Sequence, residues 1–198
     1  MSFIVRTRFF AEEHDPREFI TPDHHRVKLL AAQLGHDLWR CYDWVCRNVE
    51  YPPGPAISLD MHSIKAFGRH SPILKDVVYE FWEFPAEVLG WSLDGRGIAD
   101  CEGSSFLLVS LARNFLGPGE VYAALGTIRG HGHAWVRVLR RGQWYILETT
   151  HDKPSPLWSL LEGEPYRLEA YFNDREAREI VPGAFIMTGK RGKLTKLK

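Results

Sequence analysis

A chain of 198 residues and 22.8 kDa can bury a substantial core, since a fold of this size hides about 70% of the surface its unfolded chain exposes. With 44% hydrophobic, 13% aromatic and 25% charged residues, disorder, collagen-like repeats and coiled coil are excluded. The 25 basic and 25 acidic side chains cancel, which argues against nucleic acid as the partner, and no run approaches the ~18 uncharged apolar residues a membrane span needs.

The first residues, MSFIVRTRFFAEEHD, set two arginines in a short apolar run without a small-residue cleavage site, so they do not read as a signal peptide. Three cysteines, Cys41, Cys46 and Cys101, are an odd and sparse set that suits free thiols in a reducing compartment. The expectation is a soluble, cytoplasmic protein forming a single domain over residues 1–198.

Along the chain, Phe3 to Phe10 alternates loosely, as an edge strand or an arm would. Thr21-Pro22-Asp23 reads as a helix start, with Thr21 as N-cap and Pro22 in the first turn. Val27, Leu30, Ala31, Leu34, Leu38, Cys41, Val45 and Val49 then recur at spacings of three and four, a helical stripe. Gly35 and Asp37 divide it into two helices, the second ending before Tyr51-Pro52-Pro53. Residues 52–75 read as loop, and 77–89 as an aromatic-rich stretch cut by Pro85.

From Asp100 the pattern sharpens into an amphipathic helix through Phe106, Leu107, Leu111 and Phe115, stopped by Gly117-Pro118. Three strands are expected next, at Val121 to Ile128, His133 to Leu139 and Gln143 to Thr149. The last two flank Arg141-Gly142, a tight hairpin connection. A motif-bearing core of about 22–150 is thus followed by a C-terminal extension, 151–198, expected to carry a polar helix and a solvated basic end, GKRGKLTKLK. Helices first and antiparallel strands afterwards make the class α+β.

Cys101 stands where a glycine-containing loop enters a strong helix. There the positive end of the helix dipole and unpaired N–H groups favour a thiolate and could later hold an oxyanion. A buried packing cysteine is the ordinary alternative, and it is the reading adopted for Cys41 and Cys46. His133 adds to the case. If Arg140 faces Gln143 across the hairpin, His133 faces Thr150, and Glu148 is its diagonal neighbour on the same sheet face. A carboxylate on one imidazole nitrogen leaves the other free to face a thiol. Metal ligation by His131 and His133 with Cys101 or Glu148 is the competing chemistry, but the paired C-x-x-C spacing of cysteine zinc sites is missing. His24 and His25, adjacent on a helix, read as surface residues.

In these motifs the sequence resembles the transglutaminase-like superfamily of papain-type thiol enzymes. DCEGSSFLLVSLARNFLG resembles the nucleophile helix, especially that of bacterial transglutaminase-like cysteine proteinases. HAWVRV is similar to the family's histidine strand, WYILETT to its acid strand, WVCRNVEY to the helix before the core, and FWEFP to a W-x-x-P segment. The departure is Glu148, where the family usually has Asp. The resemblance implies a papain/transglutaminase-like core with the nucleophile helix packed on an antiparallel sheet, and a catalytic set of Cys101, His133 and Glu148.

The function expected is thiol-dependent acyl transfer, most simply hydrolysis of a peptide or carboxamide bond in a protein or peptide substrate. The alternatives are an amine-accepting protein cross-linker and a catalytically silent binding or structural module of the same fold. Neither a metal nor an organic cofactor is implied, and the oligomeric state is open. Trp82 and Tyr51 are candidates for a second oxyanion donor. Two expectations test this reading: Cys101 sulfur within about 4 Å of a His133 nitrogen, and a cysteine pKa well below its ordinary value of about 8.5.

Overall fold

The computed structural model describes residues 3–8, 12–51, 81–90, 97–154 and 165–181. An N-terminal antiparallel ribbon pairs β1 (Val5–Thr7) with β2 (Glu12–His14). A 3-10 turn over Pro16–Phe19 follows, capped by the Asp15 carboxylate. Helices α1 (His25–Gln33) and α2 (Leu38–Asn48) come next. The break between them falls at Gly35 and His36, with φ of 72° and 52°. Asp37 then starts α2 by accepting the Arg40 N–H at 2.8 Å.

The start of α1 differs from expectation. Thr21-Pro22-Asp23 lies before the helix, and His24 is the N-cap, its Nδ1 accepting the Arg26 N–H at 3.3 Å. Thr21 is engaged elsewhere, its N–H donated to Ser110 Oγ at 3.0 Å. That bond ties it to the central helix and takes it out of the capping position.

Next come β3 (Val49–Glu50), the short helix α3 (Pro85–Val88), β4 (Gly97–Ile98) and helix α4 (Cys101–Ala112). β3 and β4 form a parallel pair that ties the end of α2 to the segment leading into α4. Every residue of α4 except Glu102 is buried, as expected of a helix that is apolar nearly all round. It packs against α1, α2 and α3 and against β5 and β6 of the main sheet.

That sheet is wholly antiparallel, in the order β7-β6-β5-β8-β9. Its strands are β5 (Val121–Ile128), β6 (His131–Arg140), β7 (Gln143–Leu147), β8 (Tyr166–Phe172) and β9 (Ala177–Glu179). Two two-residue turns set its register. Arg129 and Gly130 (φ 50° and 84°) join β5 to β6, and Arg141 and Gly142 (51° and 76°) join β6 to β7. Positive φ at both central positions is the signature of the tight hairpin turn whose twist matches the strands. Arg140 therefore faces Gln143, as the hairpin spacing required.

The α+β class stands on these elements. Two readings change. Residues 166–172 and 177–179 are strands of the sheet, β8 lying beside β5, and the polar stretch after Phe172 enters a strand, not a helix. The loop expected over 52–75, the residues 77–80 and the basic tail 190–198 lie outside the described residues. Among the described residues no helix is long and apolar enough to cross a membrane.

Alternation gives the sheet two unlike faces. Ala123, Leu125, Ala134, Val136, Leu147, Ala170 and Phe172 point toward α4 and join the main core. An aromatic cluster of Phe19, Trp82, Phe106 and Phe172 seals it, with Trp82 and Phe172 stacked at 6.1 Å. The other face carries Ala124, Trp135 and Ile146, flanked by Tyr166 and Leu168.

Candidate functional site

Cys101 is the first residue of α4, and Asp100 caps the helix, its Oδ1 accepting the N–H groups of Glu102 and Gly103 at 3.1 and 3.3 Å. Cys101 is 7% exposed. β7 stops at Leu147, so β6 loses its neighbour on that side beyond Val136, and the Ala134 N–H is donated to the Cys101 sulfur. The nucleophile candidate thus sits against the bared edge of the histidine strand.

His133 lies on the sheet face turned away from α4, opposite Gly126, with its ring near-parallel to that of Trp135. Its Nε2–H is directed at Glu148 Oε2 at 2.7 Å, the diagonal contact the hairpin register predicts. Glu148 is 6% exposed, and its remaining capacity is filled. Oε1 accepts the Thr150 N–H at 3.0 Å and hydroxyl at 2.7 Å, and Oε2 also accepts the Tyr166 hydroxyl at 3.0 Å. Burial, the largest single influence, pushes the Glu148 carboxyl up. The hydrogen bond and charge of His133 and the two Thr150 donors outweigh it, and the net direction is down. The group is a carboxylate.

The frame around this pair is equally specific. The Glu148 carbonyl accepts the Tyr42 hydroxyl at 2.8 Å and the Cys46 thiol at 3.8 Å, both from α2. Thr149 Oγ1 hydrogen-bonds Ser104 Oγ at 2.7 Å and Ser105 Oγ at 3.2 Å. These buried hydroxyls fasten the segment after β7 to the first turn of α4.

The Cys101 thiol donates to Glu102 Oε2 at 2.8 Å. One expectation about it is corrected: its pKa is not depressed. Burial, then the charges of Glu102 and Asp100, push the thiol well above its ordinary value, against a smaller downward pull from the Ala134 N–H. The helix end does favour an anion, but the two carboxylates beside it already meet that demand. A neutral thiol in this setting donates to the nearest carboxylate. Asp100 is itself held up by burial, only partly offset by Glu102, the two backbone N–H groups it caps and His133.

Asp100, Cys101 and Glu102 bring their ligand atoms within 4.8 Å of one another, the one such group among the described residues. Asp100 Oδ1 is occupied as a helix cap and Glu102 Oε2 holds the thiol. His131 is exposed and outside this group, and His133 is turned to Glu148, so the histidine-based metal set is not assembled. Cys41 and Cys46 are buried free thiols, both pushed up to about 12, mainly by burial. Trp82 lies in the aromatic core, whereas Tyr51 is at the site. Burial and the fields of Cys101, Asp100, Glu102 and Glu148 together raise its hydroxyl's pKa.

No family model matches the sequence, and no curated protein matches it. The similar solved structures include three of LapG from Legionella pneumophila. The calcium-bound form is 14% identical, with 78% of this chain and 86% of that chain covered and a TM-score of 0.41. The EGTA-treated form is also 14% identical, covering 77% and 84% at a TM-score of 0.41. A third is 13% identical, covering 78% and 87% at 0.42.

Sequence reasoning missed Tyr166 and gave Glu102 no role. Glu102 was legible as the residue beside the cysteine at a helix start. Tyr166 was not, because it reaches Glu148 only through the pairing of β8 with β5.

Proposed function

We propose that the chain is a thiol-dependent acyl-transfer enzyme of papain/transglutaminase-like architecture, a single domain in which Cys101 is the nucleophile, His133 the base and Glu148 the orienting acid. The observation that carries this reading is the His133 Nε2–Glu148 Oε2 contact at 2.7 Å. It orients the imidazole with its proton on Nε2, leaving the Nδ1 lone pair to take a proton from sulfur. The reaction begins when the Cys101 side chain exchanges its bond to Glu102 for one to His133 Nδ1, a movement around the edge of β6.

The S–H proton passes to Nδ1 as sulfur attacks the carbonyl carbon of an amide. The carbonyl π pair moves to oxygen, where the Cys101 N–H and the Tyr51 hydroxyl are the donors at hand. The tetrahedral intermediate expels the amine, which leaves with the proton from Nδ1, and a thioester remains. Water then gives its proton to Nδ1, attacks the thioester, and releases a carboxylic acid and the Cys101 thiol. A protein or peptide amide is the proposed substrate, and the three free thiols support a reducing, cytoplasmic setting.

One observation favours the silent-module alternative: the buried neutral thiol bonded to Glu102. Alkylation decides between them. Treated with iodoacetamide at pH 6, Cys101 is expected to react well before Cys41 and Cys46, and His133→Ala to remove that advantage. Equal sluggishness of all three thiols, with no turnover of quenched peptides, overturns the enzyme reading. Faster product formation with added amines than with water assigns transfer in place of hydrolysis.

A further inference from the structure

We propose that Tyr166 is a positioning residue for the His133–Glu148 pair, holding the carboxylate oxygen that receives the imidazole N–H. The proposal rests on the triad reading above. Tyr166 Oη donates to Glu148 Oε2 at 3.0 Å, the same oxygen that accepts from His133 Nε2 at 2.7 Å. Thr150 fills Oε1, so the carboxylate is fixed from both ends and cannot turn about its terminal bond without breaking a hydrogen bond.

The backbone is built to bring Tyr166 there. Ala123 faces Phe172 and Leu125 faces Ala170, both on the α4 side of the sheet. In unbroken register Thr127 would then face Leu168, and Tyr166 would point into the helical core. A register shift at Leu125/Gly126 intervenes, so that Gly126 faces Leu168 and Ile128 faces Tyr166. One residue of slip turns a side chain to the opposite face, and Tyr166 emerges beside His133. Its ring stands edge-on to Trp135 at 5.1 Å and lies 6.4 Å from the His133 ring. Trp135 is fully buried, which fixes the phenol's direction.

Among the described residues, the titratable and charged groups facing His133 are Glu148, Tyr166 and, from the start of α4, Asp100. The phenol competes with the imidazole for Oε2. Without it the carboxylate charge acts on the imidazolium undivided, but the carboxylate is free to swing.

The test is Tyr166→Phe, which keeps the ring on Trp135, compared with Thr150→Val, which strips Oε1 alone. Two readouts are used: the nitrogen-15 NMR signals of the His133 imidazole in the full chain, and the pH profile of Cys101 alkylation and peptide hydrolysis. In Tyr166→Phe the imidazolium signal is expected to persist to higher pH. The acid limb of the profile, where the base must lose its proton, moves upward with it, by about half to one pH unit for the loss of one hydrogen bond. The kcat falls while KM holds. Unmoved signals and an unmoved limb overturn the proposal, even if the melting temperature drops.

Should Tyr166→Phe not fold, labelled-tyrosine NMR of Glu148→Gln serves instead. Tyr166 is expected to ionise at lower pH than in the parent, and an unchanged titration overturns the proposal. Failure of the triad reading is separate. Cys101→Ser that keeps full turnover removes the nucleophile assignment, while the NMR result still decides the role of Tyr166.

Discussion

The two faces of the five-stranded sheet are made by the same strands in alternation and do opposite things. On the α4 side, Val136, Val138, Leu147 and Phe172 meet helix residues in a dry apolar core. On the other side, His133, Trp135, Glu148 and Tyr166 converge in aromatic and hydrogen-bonded contacts. The first face is held by area, with each buried apolar side chain contributing roughly in proportion to what it hides from water. The second is held by direction, because a buried polar group is costly unless each lone pair and proton is met. A single period-2 strand supplies both, so the His133 side of the sheet inherits its rigidity from the core packed on the opposite face.

The widest test of that contrast is Phe172→Ala. Phe172 is fully buried among Trp82, Phe106 and Phe3, and its loss should cost about 3–5 kcal/mol, read by urea denaturation. A loss below about 1 kcal/mol, smaller than ordinary core truncations, would mean that the helix side is not the stabilising face.

Glu148→Gln on the other face is expected to cost less at pH 7, about 1–3 kcal/mol, and to abolish turnover. Its pH dependence carries a sign. The folded carboxyl lies below its ordinary range, so its contribution is complete above the unfolded carboxyl's pKa and is lost as pH falls through the folded one. The stability gap between parent and variant should therefore narrow in acid. A gap that stays constant into the acid range would show that the charge is not what stabilises the site.

Thr149→Val, near-isosteric, removes the bonds to Ser104 and Ser105 and should cost about 0.5–1.5 kcal/mol. If this joint aligns helix with strand, kcat falls further than the small stability change accounts for. The smallest expected change in stability, within about 0.5 kcal/mol, belongs to Glu102→Gln. Here the readout is reactivity. Removing an anion that raises the thiol should speed Cys101 alkylation at fixed pH, about tenfold for each pKa unit relieved. Slower alkylation would make Glu102 the base.

What could be read from the sequence was local or hairpin-local. The β6–β7 register followed from the spacing around Arg141-Gly142, and with it the diagonal placement of His133 and Glu148. The helix break at Gly35 and the helix from Asp100 were equally visible in turn chemistry and periodicity. The Arg129-Gly130 turn was overlooked, and β6 was therefore begun at His133, two residues late. β8 escaped because Arg167 and Glu169 interrupt its apolar run and because its partner, β5, lies about 40 residues back. The state of the Cys101 thiol was hidden for a different reason. Helix-end electrostatics argue for an anion, and only the three-dimensional crowding of Asp100 and Glu102 reverses the direction.

The seam between α2 and the end of β7 has a kinetic consequence. Cys46 is sealed where its sulfur meets the Glu148 carbonyl at 3.8 Å, next to the bond from Tyr42. A reagent reaches that sulfur only while the helix stands away from the strand, and such partings are local openings with their own free energy. The rate at which Cys46 is labelled in the native protein therefore clocks how often the Glu148 backbone comes loose. Nature has put a timer, readable by mass spectrometry, a few ångströms behind Glu148.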